Sequence, residues 1–355
     1  MNIKEINSLV KEGIYPCKCQ TPELIETHIS WVILCDAHVF KIKKPVHYTF
    51  LDFSTLEKRK YYCEREIVLN KRLTKNVYKG IIPITQKNGK LMLGGYKSVD
   101  QVIDYAIQMK KLNPERRMDI ELQAGHVTVN DIFAIADKLL SFHQNATVID
   151  HAAYPPMKDE FNDLEGFVSE KKPLDVYASV TISDAIQVSN SFLEQNADLV
   201  SQRQEEGFVR DCHGDLHTRN IFLLRKPVIF DCLEFNDNFR QIDILNELAF
   251  FCMDLEAFGY PDLSDQFFNY YNGQFEVCRN ESERLLFIYY KAYRANVRAK
   301  VNMLRAESAE DSSVKKQALK DTEKYLKLMK SYLDFISKNS DPNQNSEHDE
   351  KNDEL

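Results

Sequence analysis

The sequence predicts an α+β fold with two lobes, a small β-rich N-terminal lobe with one inserted helix and a larger, mainly helical C-terminal lobe. Up to residue 112, most segments are rich in β-branched and aromatic residues and have the short apolar patterns of strands. Beyond Pro114, apolar residues recur at helical spacing over long segments. A chain of 355 residues is also long for a single core, which favours two lobes.

The first 73 residues predict a helix, then strands, then a second helix. The opening stretch MNIKEINSLVKEGIYP carries charges throughout, so it predicts a short amphipathic helix rather than a signal peptide. Within residues 21–53, ISWVILCD and HVFKIKKPV are predicted strands, and Asp36 suits the tight turn between them. Residues 54–73 predict a helix that Ser54 or Thr55 caps.

Strand patterns continue to residue 112 and then give way to helical ones. GIIPIT and KLMLGGY predict strands on either side of a turn at residues 87–89, and DYAIQM predicts another strand. Asn113 and Pro114 interrupt this pattern. The sequence beyond them predicts four long helices, in VTVNDIFAIADKLLSFHQNA and at residues 184–204, 281–306 and 314–337.

These patterns set the predicted domain boundaries. The N-terminal lobe is expected at residues 1–112 and the C-terminal lobe at residues 113–337. Residues 338–355 have almost no apolar content, so they are predicted to form a disordered acidic tail.

Composition and charge exclude several classes of function. A net charge of −8 argues against a nucleic-acid scaffold, which needs a broad basic surface. No apolar run approaches the ~20 residues of a membrane span. The eight cysteines include no CxxC pair, and with no signal peptide they predict reduced thiols and a cytoplasmic protein.

The stretch CHGDLHTRNIFLL, residues 212–224, has two histidines, an aspartate, an arginine and an asparagine just before an apolar segment that predicts a strand. If IFLL and VIF form a hairpin centred on residues 225 and 226, Asn220 lies directly opposite Asp231. An amide oxygen and a carboxylate aimed at one point suit Mg²⁺, which takes few protein ligands and keeps water and phosphate oxygens as the others. Asp215 lies in the loop that enters the hairpin.

A free carboxylate beside a metal-bound phosphate is what phosphoryl transfer to a hydroxyl requires. The order H-G-D-x-x-x-x-N, a strand and I-x-D is the catalytic arrangement of kinases, in which Asp215 is the predicted base and His213 shapes the loop. Kinases also need a lysine on an early strand and a glutamate on the following helix. HVFKIKKPV supplies Lys41 and Lys43 on one face of a strand, and the helix supplies Glu64 and Glu66. We favour Lys41 with Glu66.

CHGDLHTRNIFLL…VIFDCLEFNDNFRQIDILNELAFFCMDLE resembles the aminoglycoside phosphotransferase and choline kinase-like family, a branch of the protein-kinase-like fold. ETHISWVILCDAHVFKIKKPVHYTFLDFSTLEKRKYYCEREIVLNKRL resembles a bacterial subgroup of it that is often fused to a P-loop ATP-binding domain. The resemblance implies ATP and Mg²⁺, with Asp215 as the base, Asn220 and Asp231 as metal ligands, and Lys41 as the phosphate contact. Lys43 and Glu66 belong to the same nucleotide site.

The sequence departs from that family in two places. It has no GxxxxGK[ST] motif, so a P-loop domain, if one takes part, is expected to be a separate partner protein. It also has no glycine-rich loop before the first strand. Residues 26–30, ETHIS, stand there, and Ser30 is the predicted phosphate donor of that loop.

Several polar residues keep two interpretations. His217 with His213 and Asp215 forms an H-x-D-x-H pattern typical of zinc or iron ligands, but a role in supporting the site or contacting substrate is favoured, because metal ligation by this pattern leaves Asn220 and Asp231 unexplained. Glu234 assists the metal or substrate, or caps the next segment, while Asp243 is expected to be structural. Trp31 is expected in the core or in the wall of a cleft. A basic stripe on one predicted helix is expected to be a solvated face, with an anion pocket as the alternative: Lys291, Arg294, Arg298 and Arg305.

The sequence therefore predicts an ATP- and Mg²⁺-dependent phosphotransferase that acts on a hydroxyl of a small-molecule substrate. Three alternatives remain open: a pseudokinase that binds nucleotide without transfer, a metal-dependent phosphohydrolase, and a protein kinase. No A-P-E motif follows Asp231 as in protein kinases, which disfavours the last. The identity of the phosphate acceptor cannot be read from family resemblance.

Overall fold

An antiparallel sheet is the framework of the N-terminal part of the chain. The computed structural model describes residues 1–48, 50–87, 89–94, 102–150, 157–167 and 176–339. Its main strands are β1 (Glu23–Glu26), β2 (Ser30–Leu34), β3 (His38–Lys43), β6 (Tyr78–Lys87), β7 (Lys90–Leu93) and β8 (Val102–Lys110), with a short separate pair of β4 (His47–Tyr48) and β5 (Leu51–Asp52). Within the described residues, the six main strands pair in the order β1-β2-β3-β8-β6-β7.

Two helices cover opposite faces of this sheet. Helix α1 (Ile3–Glu12) packs Ile6 and Leu9 into a core with Phe40 and Trp31, which confirms Trp31 as a core residue. Helix α2 (Leu56–Asn70) packs Cys63 and Ile67 against the other face, where Val39 lies. Because strand side chains alternate, Lys41 and Lys43 share the α2 face with Val39. Thr55, one of the two predicted caps, begins α2 by accepting a hydrogen bond from the Lys58 N–H.

The chain folds into two compact units, Met1–Val127 with His213–Arg240, and Thr128–Cys212 with Gln241–Leu355. The first unit contains the sheet. The predicted boundary between residues 112 and 113 concerns lobes rather than these units, and it stays a prediction.

The second unit is mainly helical, with a short antiparallel pair formed by β9 (Val209–Asp211) and β12 (Gln241–Asp243). In the first unit, Met118–Gln123 of the first segment forms helix α3, and the second segment holds the strands β10 (Ile221–Phe222) and β11 (Val228–Ile229). The helices of the second unit are α4 (Val129–Asn145), α5 (Met157–Asn162), α6 (Val176–Gln195), α7 (Ala197–Glu205), α8 (Ile244–Ala257), α9 (Pro261–Gln274), α10 (Glu281–Ser308) and α11 (Ser312–Asn339).

The α+β fold class predicted from the sequence is confirmed by these elements. The helix predicted at residues 184–204 is in fact two helices, because the backbone at Asn196 leaves the helical region between α6 and α7. Helix α11 runs through Asn339, and the rest of the predicted tail lies outside the described residues. None of the helices in the described part of the chain has the length and apolar character to cross a membrane.

Two cysteines depart from the predicted reduced state. Cys19 and Cys35 form a disulfide, with their Cα atoms 4.7 Å apart. Cys35 directly follows β2, and Cys19 lies just before β1, its antiparallel partner, so the pairing of these strands brings the two thiols together. The expectation of reduced thiols throughout is therefore wrong at these positions.

The predicted basic stripe is also not a solvated face. Arg294 and Arg298 are buried. Helix α10 packs against α8 and α11, so the stripe meets protein on both sides. Arg294 donates to Asn246 at 2.6 Å, Arg298 lies over the Tyr325 ring, and Lys291 pairs with Glu256 at 2.7 Å.

A buried arginine joins three helices of the second unit. Arg203 of α7 is fully buried and donates to both carboxylate oxygens of Asp243 at 2.6 and 2.9 Å. It also donates to Glu283, in the first turn of α10, at 2.8 Å. Asp243 in turn caps α8 by accepting from the Leu245 N–H at 2.8 Å. These contacts agree with the structural role predicted for Asp243.

Replacing Glu283 with Gln tests this junction. The change leaves the buried Arg203 short of one negative partner, so we expect the free energy of unfolding to fall by about 3 kcal/mol at pH 7. Burial acts to raise the pKa of Glu283, but Arg279 and Arg203 hold that pKa below its usual value. Ionised Glu283 therefore stabilises the fold fully above the unfolded pKa of about 4.3. This stabilisation is lost as the pH falls through the lower pKa of Glu283 in the folded protein.

Denaturant unfolding of both proteins at several pH values measures the effect. The control is Glu323→Gln, in an exposed pair with Lys327, which should change stability by less than about 0.5 kcal/mol. A difference for Glu283→Gln that does not shrink in acid would refute the ion-pair account.

Candidate active site

Two lysines of β3 converge on one buried glutamate of α2. Lys41 Nζ lies 2.9 Å from Glu66 Oε1, and Lys43 Nζ lies 2.7 Å from Glu66 Oε2. Glu66 is fully buried. The predicted pair of Lys41 and Glu66 is therefore present, whereas Glu64 lies on the exposed side of α2, 3.9 Å from Lys60.

Two carboxylates from residues 231–234 complete this network. Lys41 Nζ donates to Asp231 Oδ1 at 2.6 Å, and Lys43 Nζ donates to Glu234. The Asp231 side chain is 39% exposed and that of Lys41 13%, while the Lys43 side chain is fully buried. Lys41 and Asp231 thus form the open end of the network, and Lys43 is its enclosed end. Glu234, for which the sequence left two roles, is a buried ion-pair partner of Lys43.

Lys41 and Glu66 stabilise each other's charged forms. Burial acts to lower the pKa of Lys41, but Asp231 and Glu66 outweigh it and hold that pKa well above its usual value. Burial acts to raise the pKa of Glu66, and the two lysines hold it below its usual value. For Glu234, burial prevails over Lys43 and raises the pKa. Lys41 is therefore a cation, and its side chain is 13% exposed.

The loop from His213 to Asn220 holds its carboxylate by side-chain and backbone hydrogen bonds. Asn220 Nδ2 donates to Asp215 Oδ2 at 3.0 Å and to the Asp215 carbonyl at 2.9 Å. His213 Nδ1 accepts from the Asp215 N–H at 3.2 Å, so its Nε2 carries the proton and donates to the Phe230 carbonyl at 2.9 Å. His213 thus shapes the loop, as the sequence predicts.

Gly214 is required by the backbone of this loop. Its φ of +84° lies in the left-handed region, and a Cβ there would lie 2.8 Å from the Phe239 carbonyl oxygen. A side chain at this position would push apart the loop and the Phe239 backbone.

The hairpin that follows differs from prediction by one residue in register. Ile221 pairs with Ile229 and Phe222 with Val228, so the hairpin is centred on residue 225 and Asn220 faces Phe230. The Phe230 N–H donates to the Asn220 carbonyl at 3.1 Å. The predicted direct opposition of Asn220 and Asp231 is therefore wrong, and a one-residue shift would normally turn a side chain to the other face.

Asp231 has a backbone conformation of its own. Its φ is +63°, and within the described residues no other non-glycine residue has a positive φ. Aspartate tolerates this region better than most residues, but it is uncommon there. The conformation breaks the strand alternation at Asp231, and its carboxylate reaches Lys41.

The side chains present fit a hard divalent cation. Asp215, Asn220 and Asp231 offer carboxylate and amide oxygens, the donors that Mg²⁺ prefers. The side-chain nitrogen of Asn220, Nδ2, donates to Asp215. The side-chain oxygen of Asn220, Oδ1, is therefore the atom that could bind a cation. The Asp215 and Asp231 carboxylates are 37% and 39% exposed, so both are open to solvent. The ligand roles of Asn220 and Asp231 stay predictions.

The H-x-D-x-H alternative does not form a metal cluster. Both ring nitrogens of His213 are engaged with backbone groups. His217 Nε2 lies 3.4 Å from Asp215 Oδ2 and 3.5 Å from Asn220 Nδ2. In the described part of the chain, one set of three His, Cys, Asp or Glu side chains is close enough to share a metal, His143 with Cys212 and Glu247 in the second unit.

Ser30, the predicted phosphate donor, is the first residue of β2 and pairs with Lys43. It is fully buried, and in the described structure its hydroxyl has no hydrogen-bond partner. Its backbone closes a turn with Thr27, whose hydroxyl accepts from the Ser30 N–H at 3.0 Å. A phosphate would reach this hydroxyl only if the turn opened.

Two residues that sequence reasoning missed hold Asp231 in place. Tyr78, the first residue of β6, accepts the Asp231 N–H through its hydroxyl at 3.2 Å. Asn70 Oδ1 accepts the next N–H, of Cys232, at 3.0 Å. Asn70 lies four residues after Glu66 on the same helix face, and that spacing was the available signal. The local sequence around Tyr78 carried none.

The sequence relatives of this chain include mycobacterial proteins. No protein-family model matches the chain. Uncharacterized proteins of Mycobacterium bovis and Mycobacterium tuberculosis are 33% identical over 294 residues, which cover 79% of this chain and 54% of each relative. The chain thus spans about half the length of the curated relatives it matches.

Solved structures are similar at low sequence identity. A choline/ethanolamine kinase family protein from Mesorhizobium loti has a TM-score of 0.51 at 11% identity, covering 93% of this chain and 100% of that chain. A putative aminoglycoside phosphotransferase from Ralstonia eutropha has a TM-score of 0.47 at 10% identity, covering 94% and 98%. The first likeness shows that the chain has the protein-kinase-like fold. That fold class is the one predicted from the sequence.

Glu66→Gln tests the centre of the lysine network. The change removes the shared negative charge between two buried lysines, so we expect the free energy of unfolding to fall by at least about 3 kcal/mol. Glu64→Gln makes the same substitution two residues away in an exposed pair and should change it by less than about 0.5 kcal/mol. Denaturant unfolding measures both, and equal effects of the two changes would contradict the arrangement.

Proposed function

We propose that this protein is an ATP- and Mg²⁺-dependent phosphotransferase that phosphorylates a hydroxyl of a small molecule. One observation carries the proposal: the cation of Lys41, held by Glu66, lies at the open end of a network that includes Asp231. That is the arrangement by which kinases hold nucleotide phosphates and their metal. The fold shared with a choline/ethanolamine kinase family protein supports a small-molecule kinase over a protein kinase.

Lys41 would contact the phosphates of the nucleotide. It is a cation whose side chain is 13% exposed, and Glu66 fixes its position from within the core. Lys43, predicted from the sequence to belong to the same nucleotide site, is enclosed by Glu66 and Glu234. It would act by neutralising those two carboxylates rather than by touching phosphate.

Asp215 would orient the acceptor hydroxyl and take its proton. Its carboxylate is open to solvent, and Asn220 Nδ2 fixes one of its oxygens. A carboxylate held in this way is pre-organised for a substrate hydroxyl, which is how positioning lowers the barrier of phosphoryl transfer.

Asn220 and Asp231 would hold the cation. When bound, Mg²⁺ neutralises charge on the transferring phosphoryl group. Asp231 also accepts a hydrogen bond from Lys41, so the proposed metal ligand lies beside the proposed phosphate contact.

The partners follow from the same chemistry. The acceptor would be a small molecule with a hydroxyl group, and a separate P-loop ATP-binding protein stays a predicted partner. A screen of small hydroxylated metabolites for ADP release in the presence of ATP and Mg²⁺ would identify the acceptor. Aminoalcohols and aminosugars are the first compounds to include, since the fold is shared with a choline/ethanolamine kinase family protein.

Asp215→Asn separates transfer from binding. We expect Mg²⁺-dependent ADP release with the acceptor to fall by at least about 100-fold, because general-base catalysis of this kind contributes ~10²–10⁴-fold. ATP affinity, measured by calorimetry, should stay within about threefold. Asp36→Asn, an exposed aspartate of the same unit, is the matched control and should retain full activity.

The alternatives give other results in the same assays. A pseudokinase would bind ATP without ADP release for any acceptor. A phosphohydrolase built on His213, Asp215 and His217 would release phosphate without nucleotide and be indifferent to Lys41→Met. Either pattern would overturn the proposal, since the kinase account requires nucleotide, acceptor and Lys41 together.

A further inference from the structure

Every backbone N–H group from Phe230 to Leu233 donates a hydrogen bond. The Phe230 N–H donates to the Asn220 carbonyl at 3.1 Å, and the Leu233 N–H donates to the His213 carbonyl at 3.0 Å. Between them, the N–H groups of Asp231 and Cys232 donate to side chains, Tyr78 Oη and Asn70 Oδ1. Four successive N–H groups thus have fixed acceptors, and the two central ones depend on side chains that substitution can remove.

These two central bonds flank a conformation that the chain does not favour by itself. With φ at +63°, Asp231 occupies a region in which non-glycine residues are uncommon. Such conformations persist where the surroundings over-determine them, and they cluster at functional sites. This conformation sets the directions of two N–H groups, that of Asp231 and that of Cys232.

Asn70 links this segment to the lysine network. Its Nδ2 donates to the Glu66 carbonyl at 2.8 Å while its Oδ1 accepts the Cys232 N–H. Asn70 and Glu66 are both fully buried. The helix turn that presents the Glu66 carboxylate to Lys41 therefore also fixes the residue after Asp231.

Tyr78 is suited to accept from Asp231. It is 3% exposed, and burial raises the pKa of its hydroxyl well above the usual value, so the phenol stays neutral. A neutral phenol oxygen accepts an N–H without adding a negative charge beside the Asp231 carboxylate.

We propose that Tyr78 and Asn70 are positioning residues that hold Asp231 in its left-handed conformation and thereby set the affinity of the site for the divalent cation. The proposal rests on the proposed function, since it takes Asp231 as a metal ligand. Neither residue would touch the nucleotide or the cation.

Binding of Mn²⁺ as the probe tests the proposal without relying on turnover. Mn²⁺ affinity is measured by electron paramagnetic resonance with a non-hydrolysable ATP analogue held at constant concentration. Tyr78→Phe removes the acceptor of one hydrogen bond, so Mn²⁺ affinity should fall by about 3- to 10-fold. Asn70→Leu should lower it at least as much, and Asp231→Asn marks the full loss of the site.

Tyr105→Phe is the matched control. Tyr105 packs against the apolar cluster that contains Tyr78. Tyr105→Phe therefore removes one phenol hydroxyl near this cluster, as Tyr78→Phe does. It should leave Mn²⁺ affinity unchanged. Equal losses for Tyr105→Phe and Tyr78→Phe would overturn the proposal, because the effect would then come from general loosening.

Hydrogen exchange provides a second readout. In Tyr78→Phe, the backbone amides of residues 230–233 should exchange faster, while β3 and α2 keep their wild-type protection. Faster exchange throughout the first unit would show a folding defect and overturn the positioning role.

The outcomes distinguish this inference from the proposed function. If the wild-type protein has no Mn²⁺ site that Asp231→Asn weakens, the metal role of Asp231 fails and the inference fails with it. If that site exists and both Tyr78→Phe and Asn70→Leu bind Mn²⁺ as the wild type does, the inference alone is overturned.

Discussion

The site depends on the burial of two lysine ammonium groups beneath a sheet. A buried cation is tolerated only when it is paired, and Lys41 and Lys43 share the carboxylate of Glu66 for this reason. Lys43 is satisfied entirely within the protein, by Glu66 and Glu234. Lys41 has one buried partner, Glu66, and one partly exposed partner, Asp231.

The same constraint fixes the geometry of the elements that supply these groups. The lysines require β3 to face α2, and α2 must present Glu66 toward the strand. Asp231 and Glu234 require the segment after the hairpin to lie against both elements. Asn70, one turn after Glu66, fastens that segment to the helix. Charge pairing and backbone hydrogen bonding thus act on one small region, which is how a site is held rigid.

Much of this arrangement could be predicted from the sequence, where local patterns decide. Alternation along HVFKIKKPV placed Lys41 and Lys43 on one face, and the predicted pair of Lys41 and Glu66 is present. The hairpin register could not be predicted, because one residue in the turn shifts it and several turns suit that sequence.

Other features depend on tertiary contacts that local patterns do not carry. The left-handed backbone of Asp231 depends on Tyr78, 153 residues earlier in the chain. The burial of Arg294 and Arg298 follows from helices on both sides of α10, and the Cys19–Cys35 disulfide follows from strand pairing. Charge and spacing along one segment do not reveal what packs against it.

A crystal structure with Mg²⁺ and a non-hydrolysable ATP analogue tests the proposed metal site directly. We expect one ion about 2.1 Å from both Asn220 Oδ1 and an Asp231 carboxylate oxygen, with Lys41 Nζ on a phosphate and still paired with Glu66. A nucleotide bound elsewhere, or an ion that neither Asn220 nor Asp231 touches, would contradict it.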